Sequence, residues 1–309
     1  MPETIGVILL AFGGADSPEA VEPFMTNLMG GRRPPPELTA KIKARYDLIG
    51  GKSPLPEITR RQAAALEYLL NEKHAVARFR VVVGMRYWSP FIAEAVGVLA
   101  QAEIKKVVAI SLAPFYSRVS TGAYEEEVRR VLAGAGYGMD VVFAGGWYDQ
   151  PGFINAVADR VSAALEQFPE ERRQSVQVIF SAHSLPVNHI EAGDPYVEQF
   201  KATSAGVAGQ LWLADWHMAY QSKGGGQGEW LGPPVEEVMD ELAAAGHKEV
   251  LVVPTGFVSD HIETLYDIDI AQKRHAEVRG LVFHRSEAPN VSPIFIEALA
   301  AVVLGSLKQ

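Results

Sequence analysis

The residues best suited to chemistry fall in two short stretches of the 309-residue chain, Ser181-Ala182-His183-Ser184-Leu185-Pro186 and Asp260-His261-Ile262-Glu263-Thr264-Leu265-Tyr266-Asp267-Ile268-Asp269. A loop histidine either hydrogen-bonds the backbone or presents a neutral imidazole to a ligand, because its pKa lies close to neutrality. Both readings stand for His183. In the second stretch Glu263 and Asp267 are four residues apart, so on an α-helix the two carboxylates share a face about one turn apart. Like charges at that spacing repel unless a cation or solvent compensates, and a metal path is one reading of the pair. The other is that Asp260 and Glu263 serve a helix start, where acidic groups meet free N–H donors and the positive end of the dipole. Asp269, six residues beyond Glu263, points elsewhere.

These side chains need a scaffold, and the apolar pattern describes one. Ile5 to Phe12 is an apolar run ending at Gly13-Gly14, a buried strand followed by a loop, and Phe79–Val83 and Val107–Leu112 read the same way. Between the latter two, Pro90 opens a segment with Ile92, Ala95, Val96 and Leu99 at i, i+3, i+4 and i+7, one face of a helix. Val176–Phe180, then Pro234 with Val235, Val238, Met239 and Leu242, then Val250–Val253 repeat this order. His183 should then lie three residues past a strand. Ile92 to Val235 and Val107 to Val250 are both separated by 143 residues, whereas Gly13 and His183 are 170 apart. The surplus falls early in the first half, and Asn27–Gln62 is its natural place. The expectation is an α/β protein of two similar Rossmann-like lobes with parallel sheets, residues 1–145 and 146–309, the second carrying His183 and Glu263. They join near Gly145–Pro151, with ligand in a cleft at the carboxyl ends of the strands. A single uneven α/β domain is the alternative.

Composition narrows the function classes. Lys and Arg number 28 against 37 Asp and Glu, a net charge of −9, and no basic run exceeds two residues, which argues against nucleic acid as a partner. With no cysteine, the chain offers neither a disulfide, a thiolate nucleophile nor a cysteine-held iron–sulfur cluster, and a metal would meet N or O donors. Met1-Pro2-Glu3-Thr4 lacks a basic signal-peptide start, and no apolar run reaches the ~18 to 20 residues that span a bilayer. A cytoplasmic protein without a transmembrane segment is expected. Gly224-Gly225-Gly226-Gln227-Gly228 reads as a flexible loop rather than a phosphate cradle, and Gly13-Gly14 lacks the dinucleotide fingerprint. His74, His217, His247, His275 and His284 have no ligand-like spacing and are expected to be structural or exposed.

The motifs Ser181-Ala182-His183-Ser184-Leu185-Pro186, Tyr220-Gln221-Ser222 with Trp230-Leu231-Gly232-Pro233, and Pro254-Thr255-Gly256-Phe257-Val258-Ser259-Asp260-His261-Ile262-Glu263 resemble the ferrochelatase family, in order and spacing. Gly50-Gly51-Lys52-Ser53-Pro54-Leu55, Trp147-Tyr148-Asp149 and Gly193-Asp194-Pro195-Tyr196 extend the likeness over nearly the whole chain. Length and the lack of cysteine look most like the soluble Gram-positive branch, whose members insert iron into coproporphyrin III. The resemblance implies a haem-biosynthesis enzyme that is a monomer, with Fe(II) and a porphyrin as substrates and no permanently bound cofactor or iron–sulfur cluster. It implies His183 as pyrrole proton acceptor or iron ligand and Glu263 as its facing carboxylate. Asp267 joins these two in the metal path, while Phe12, Arg45, Ser53 and Tyr124 are porphyrin contacts. Two departures stand out: Phe12 replaces a tyrosine and has no oxygen for iron, and Ala271 stands where some relatives extend the acidic ladder. The rival readings are a protoporphyrin IX ferrochelatase, a cobalt or nickel chelatase for another tetrapyrrole, and a non-catalytic haem or porphyrin carrier.

Overall fold

β1 (Thr4–Ala11) is buried along all but its first residue and runs parallel between β2 (Arg78–Met85) and β3 (Lys106–Ser111). An apolar, β-branched strand of this kind requires cover on both faces, as parallel sheets have. The computed structural model describes residues 3–73, 77–225 and 228–308; His74, and Gly226 and Gln227 of the glycine-rich stretch, lie outside them. β4 (Asp140–Ala144) completes a parallel sheet of order β2-β1-β3-β4. On one face α4 (Ile92–Gln101) and α5 (Thr121–Ala135) bury Ile92, Val96, Leu99 and Val128 against Ile8 and Leu10. Also in this unit are α1 (Val21–Leu28), α2 (Pro36–Leu48) and α3 (Leu55–Lys73), with α3 packed on β2.

The second sheet has the same topology. β5 (Gln177–His183) pairs in parallel with β6 (Trp216–Gln221) and β7 (Glu249–Val253), and β8 (Val282–Arg285) flanks β7, giving the order β6-β5-β7-β8. One face is covered by α6 (Pro151–Leu165) and α8 (Tyr196–Gln210), which follows the short α7 (Val187–Glu191). α9 (Val235–Ala244) and α10 (Lys273–Val278) cover the other, where Val238, Met239 and Leu242 meet Ile179, Val250 and Val252. α9 starts 143 residues after α4, at the expected offset. The extra helix of the first half is α2, inside Asn27–Gln62. Each buried Val, Leu or Ile contributes roughly 1.5–3 kcal/mol, so either core is a substantial source of stability.

The expected α/β class with two parallel sheets is therefore what the chain adopts. Its division is less simple than one crossing at 145/146. Unit 1 contains residues up to Pro114, Arg118–Trp147 and the chain from Val291, and unit 2 contains Phe115–Ser117 and Tyr148–Asn290. Packing explains both departures. Phe115 stacks edge-on against Tyr196 and lies beside Phe200 in unit 2. The last helix, α11 (Pro293–Ser306), packs on α3 and β4 and places Phe295 6.1 Å from the Trp147 ring in unit 1.

Candidate active site

His183 is the last residue of β5, paired with Gln221 of β6, rather than three residues beyond a strand. The ladder to β7 stops at Phe180–Val253, but the one to β6 continues through Ser181, Ala182 and His183. These small or polar residues end the apolar run without ending the strand. The order β6-β5-β7-β8 reverses direction between β5 and β7, and the carboxyl ends on either side of such a switch point are where parallel sheets bind ligands.

Glu263 reaches His183 from the segment after β7. Instead of an α-helix, Glu263–Gln272 is a ten-residue π-helix, continued by α10. Its i→i+5 bonds make a wider turn, a form concentrated at functional sites. Glu263 Oε1 lies 3.5 Å from His183 Nε2, and its Oε2 lies 3.6 Å from His261 Nε2. His183 Nδ1 is 2.6 Å from the Ser184 carbonyl oxygen, which accepts from an Nδ1–H tautomer and leaves Nε2 toward Glu263. The side chains of His183 and Glu263 are 34% and 28% exposed, within reach of a solute. Asp267, one turn on, accepts a 2.6 Å hydrogen bond from Ser222 Oγ. Among the described residues no three His, Asp or Glu side chains form a set able to hold a metal ion, so His183, Glu263 and Asp267 are not a ready-made cage.

Burial and charge oppose each other here. Burial disfavours the charged imidazole of His183, but Glu263, the Ser184 carbonyl and Asp267 outweigh it and push the pKa up to about 9. Burial likewise raises Glu263, yet His183 and His261 hold its carboxyl well below the usual carboxylate range. At neutral pH the pair is an imidazolium facing a carboxylate.

A hydrogen-bond scaffold holds the pair in place. Gln221 Oε1 accepts from Ser181 Oγ at 2.9 Å while its Nε2 donates to the Glu263 carbonyl at 3.0 Å, tying β6 to the first π-helical turn. Tyr196 donates its hydroxyl to the His183 carbonyl at 2.9 Å. Ser222 adopts φ +58°, a left-handed conformation uncommon for serine, where the chain leaves β6. His261, Gln221, Ser222 and Tyr196 were absent from the expected site set, although each lies in a motif quoted above. Their signal was proximity to a motif; their contacts are tertiary.

The remaining expected residues belong to unit 1. Phe12, just past β1, is 43% exposed, with its ring 4.8 Å from Tyr87. Ser53 is buried; its Oγ accepts from Leu55 N at the start of α3 and its N–H donates to the Ala15 carbonyl. Arg45 lies half-buried on α2. Tyr124 is buried with the core residues under α5, where burial pushes its hydroxyl pKa up, so it stays protonated. Away from the site, His217 meets Gln177, His275 meets Asp240, and His284 packs on Phe168.

Two four-stranded parallel sheets, in the orders β2-β1-β3-β4 and β6-β5-β7-β8, give the chain an α/β fold that solved chelatases share. It overlays SirB from Bacillus subtilis with Fe3+ at TM-score 0.58 and 13% identity, covering 99% of this chain and 98% of that one. The sirohydrochlorin chelatase SirB from Bacillus subtilis subspecies spizizenii in complex with cobalt gives TM-score 0.59 at 10% identity, covering 99% and 96%. At such identities the likeness is one of fold. The sequence is more specific: the family model described as Ferrochelatase matches residues 4–307, and the chain belongs to the ferrochelatase family. It is 40% identical to the Ferrochelatase of Herpetosiphon aurantiacus, over 99% of this chain and 100% of that one. It is 39% identical to the Coproporphyrin III ferrochelatase of Geobacillus kaustophilus, over 98% and 96%. No helix among the described residues is long and apolar enough to cross a membrane.

Proposed function

We propose that the protein inserts Fe(II) into a porphyrin with release of two protons, and that coproporphyrin III is its preferred substrate. The observation that carries this reading is the partly exposed His183–Glu263 pair, 3.5 Å apart at the carboxyl end of β5. Insertion exchanges two pyrrole protons for one divalent cation, so the site needs both attraction for the cation and a route for protons. Glu263, ionised and flanked by two imidazoles, supplies the attraction. His183 supplies the route: as the cation approaches Glu263 it offsets the charge that holds the imidazole proton, which passes to solvent at the partly exposed ring, and the neutral imidazole then takes the two pyrrole protons in turn and hands each to solvent. Asp267, one turn further along the π-helix, extends the acidic path. N and O donors without thiolate suit Fe(II) and do not bar Zn(II), so metal selectivity in solution should be loose.

The porphyrin contacts rest on Phe12, Arg45, Ser53 and Tyr124. An exposed ring at a strand end can lie against a flat macrocycle. The guanidinium of Arg45 and the hydroxyls of Ser53 and Tyr124 are donors for propionates, which coproporphyrin III carries in twice the number of protoporphyrin IX. The reaction as written needs no resident cofactor. Relatives named for coproporphyrin III at 37–39% identity support the substrate preference. The test is an anaerobic assay with Fe(II) and catalytic protein, run with both porphyrins. Multiple turnovers with coproporphyrin III ahead are expected; a single equivalent of tightly held haem would instead indicate a carrier.

A further inference from the structure

Arg285 ends β8 and takes no part in the chemistry above, yet its side chain is only 10% exposed. Its guanidinium donates through Nε and Nη2 to the two oxygens of Asp269, at 2.7 and 2.9 Å, and through Nη1 to Asp260 Oδ1 at 2.9 Å. These carboxylates bracket Glu263, three residues before it and six after. Asp260 is further engaged: Thr264 Oγ1 donates to its Oδ1 at 3.0 Å and Asn290 Nδ2 to its Oδ2 at 2.7 Å, while its own N–H donates to Asn290 Oδ1. Ser222 holds Asp267 from the β6 side.

We propose that Arg285 is a positioning residue for metal insertion: by clasping Asp260 and Asp269 it sets the rotation of the π-helix about its axis and so holds Glu263 against His183. This rests on the reading of His183 and Glu263 as the chelating pair. The physical need is plain. A π-helix is rare and its backbone bonding alone does not select it over an α-helix, so external contacts must. Rewinding to α geometry would swing Glu263 and Asp269 relative to one another, which a three-point clasp resists. Arginine suits the task because its rigid planar fork engages one carboxylate with two N–H groups and a second carboxylate with a third, whereas lysine offers a compact point charge.

The test uses the full-length protein with Asp269→Asn, Arg285→Lys, Arg285→Gln and the double variant Arg285→Gln/Asp269→Asn. Asp269 is 36% exposed, so Asp269→Asn should fold even if Arg285→Gln, which strands two carboxylates, does not. Two readouts are taken: amide hydrogen exchange, and steady-state iron insertion. In Asp269→Asn and Arg285→Lys, exchange should rise across residues 263–272 while β5 to β8 stay protected. In both, kcat should fall about 10- to 100-fold, the usual cost of losing a partner that orients a ligand, with the porphyrin KM unchanged. The double variant should be no worse than Arg285→Gln, since the two act through one contact. Unchanged exchange in 263–272, protection lost equally across the sheet, or a raised KM with normal kcat would each overturn the proposal. So would wild-type behaviour of Arg285→Lys. Absence of iron insertion by the unaltered protein would defeat the reading of the pair instead, and the exchange data alone would then decide whether the clasp exists.

Discussion

On the proposed reading the His183 imidazole must lose its proton before it can accept one from the porphyrin, and because Glu263 keeps it charged up to about pH 9 the neutral fraction is smallest in acid. The value of kcat/KM for iron insertion should therefore rise with pH toward about 9, measured with porphyrin and metal solubility controlled. Glu263→Gln removes the charge that raises the pKa, so the residual activity should be much lower and its acid limb should move toward the ordinary histidine value. Stability follows the same linkage. The share from His183, whose pKa is raised, is full below the ordinary value of 6.5 and lost as pH rises through about 9. The share from Glu263, whose pKa is lowered, is present above the ordinary value of 4.5 and lost as pH falls through its depressed value. The difference in unfolding free energy between wild type and Glu263→Gln should thus be greatest near neutrality and shrink in alkali. If His183 is the proton acceptor proposed above, His183→Ala should cost about 10²- to 10⁴-fold in kcat with an unchanged circular dichroism spectrum, because the residue sits at a strand end that is partly open to solvent. Asp267→Asn should be milder than Glu263→Gln, since Asp267 is held by Ser222 and acts on the imidazole more weakly than Glu263 does.

At the scale of elements, the turn after β7 carries the backbone from the sheet to the π-helix. Gly256 N–H donates to the Ser181 carbonyl, and a Cβ at Gly256 would stand 2.9 Å from Ala182 Cβ and 3.0 Å from Ala182 Cα. The obstacle is the backbone of β5 one residue before His183, which has no freedom to yield. Gly256→Ala should push the turn away from β5, destabilise the protein by about 1–3 kcal/mol as overpacked sites do, and lower kcat by moving the start of the π-helix. Urea unfolding read beside turnover checks both effects; an unchanged midpoint with full activity would show that the turn is slack.

On the scale of the whole chain, α11 is the last element in sequence but belongs to the first unit. Its Phe295, Ile296, Leu299 and Val303 are buried, and the helix packs on α3, β3 and β4 of that unit. Removing residues 291–309 should therefore strip hydrogen-exchange protection from β1 to β4 while β5 to β8 retain theirs. Substrate preference also belongs to this scale, because it sums donors contributed by several elements. With both porphyrins kept monomeric in mild detergent, kcat/KM should be higher for coproporphyrin III; a value for protoporphyrin IX equal or greater would assign the chain the other substrate.

The residues alone determined a good deal. Apolar runs and helical spacing specified two parallel α/β halves, the 143-residue offset located α4 and α9 as equivalents, and the extra length of the first half marked where α2 would be inserted. Motif likeness marked His183 and Glu263. Tertiary structure decided the rest, for physical reasons. β5 extends to His183 because β6 continues to pair with residues too small or polar to register as an apolar run. The Glu263 segment winds as a π-helix because Arg285, Ser222 and Gln221, distant in sequence, hold its side chains and first carbonyl, and the spacing of two carboxylates four apart cannot distinguish that winding from an α-helix. The His183 pKa is equally invisible in sequence, since it depends on a balance of burial against charges that only folding brings within a few ångströms.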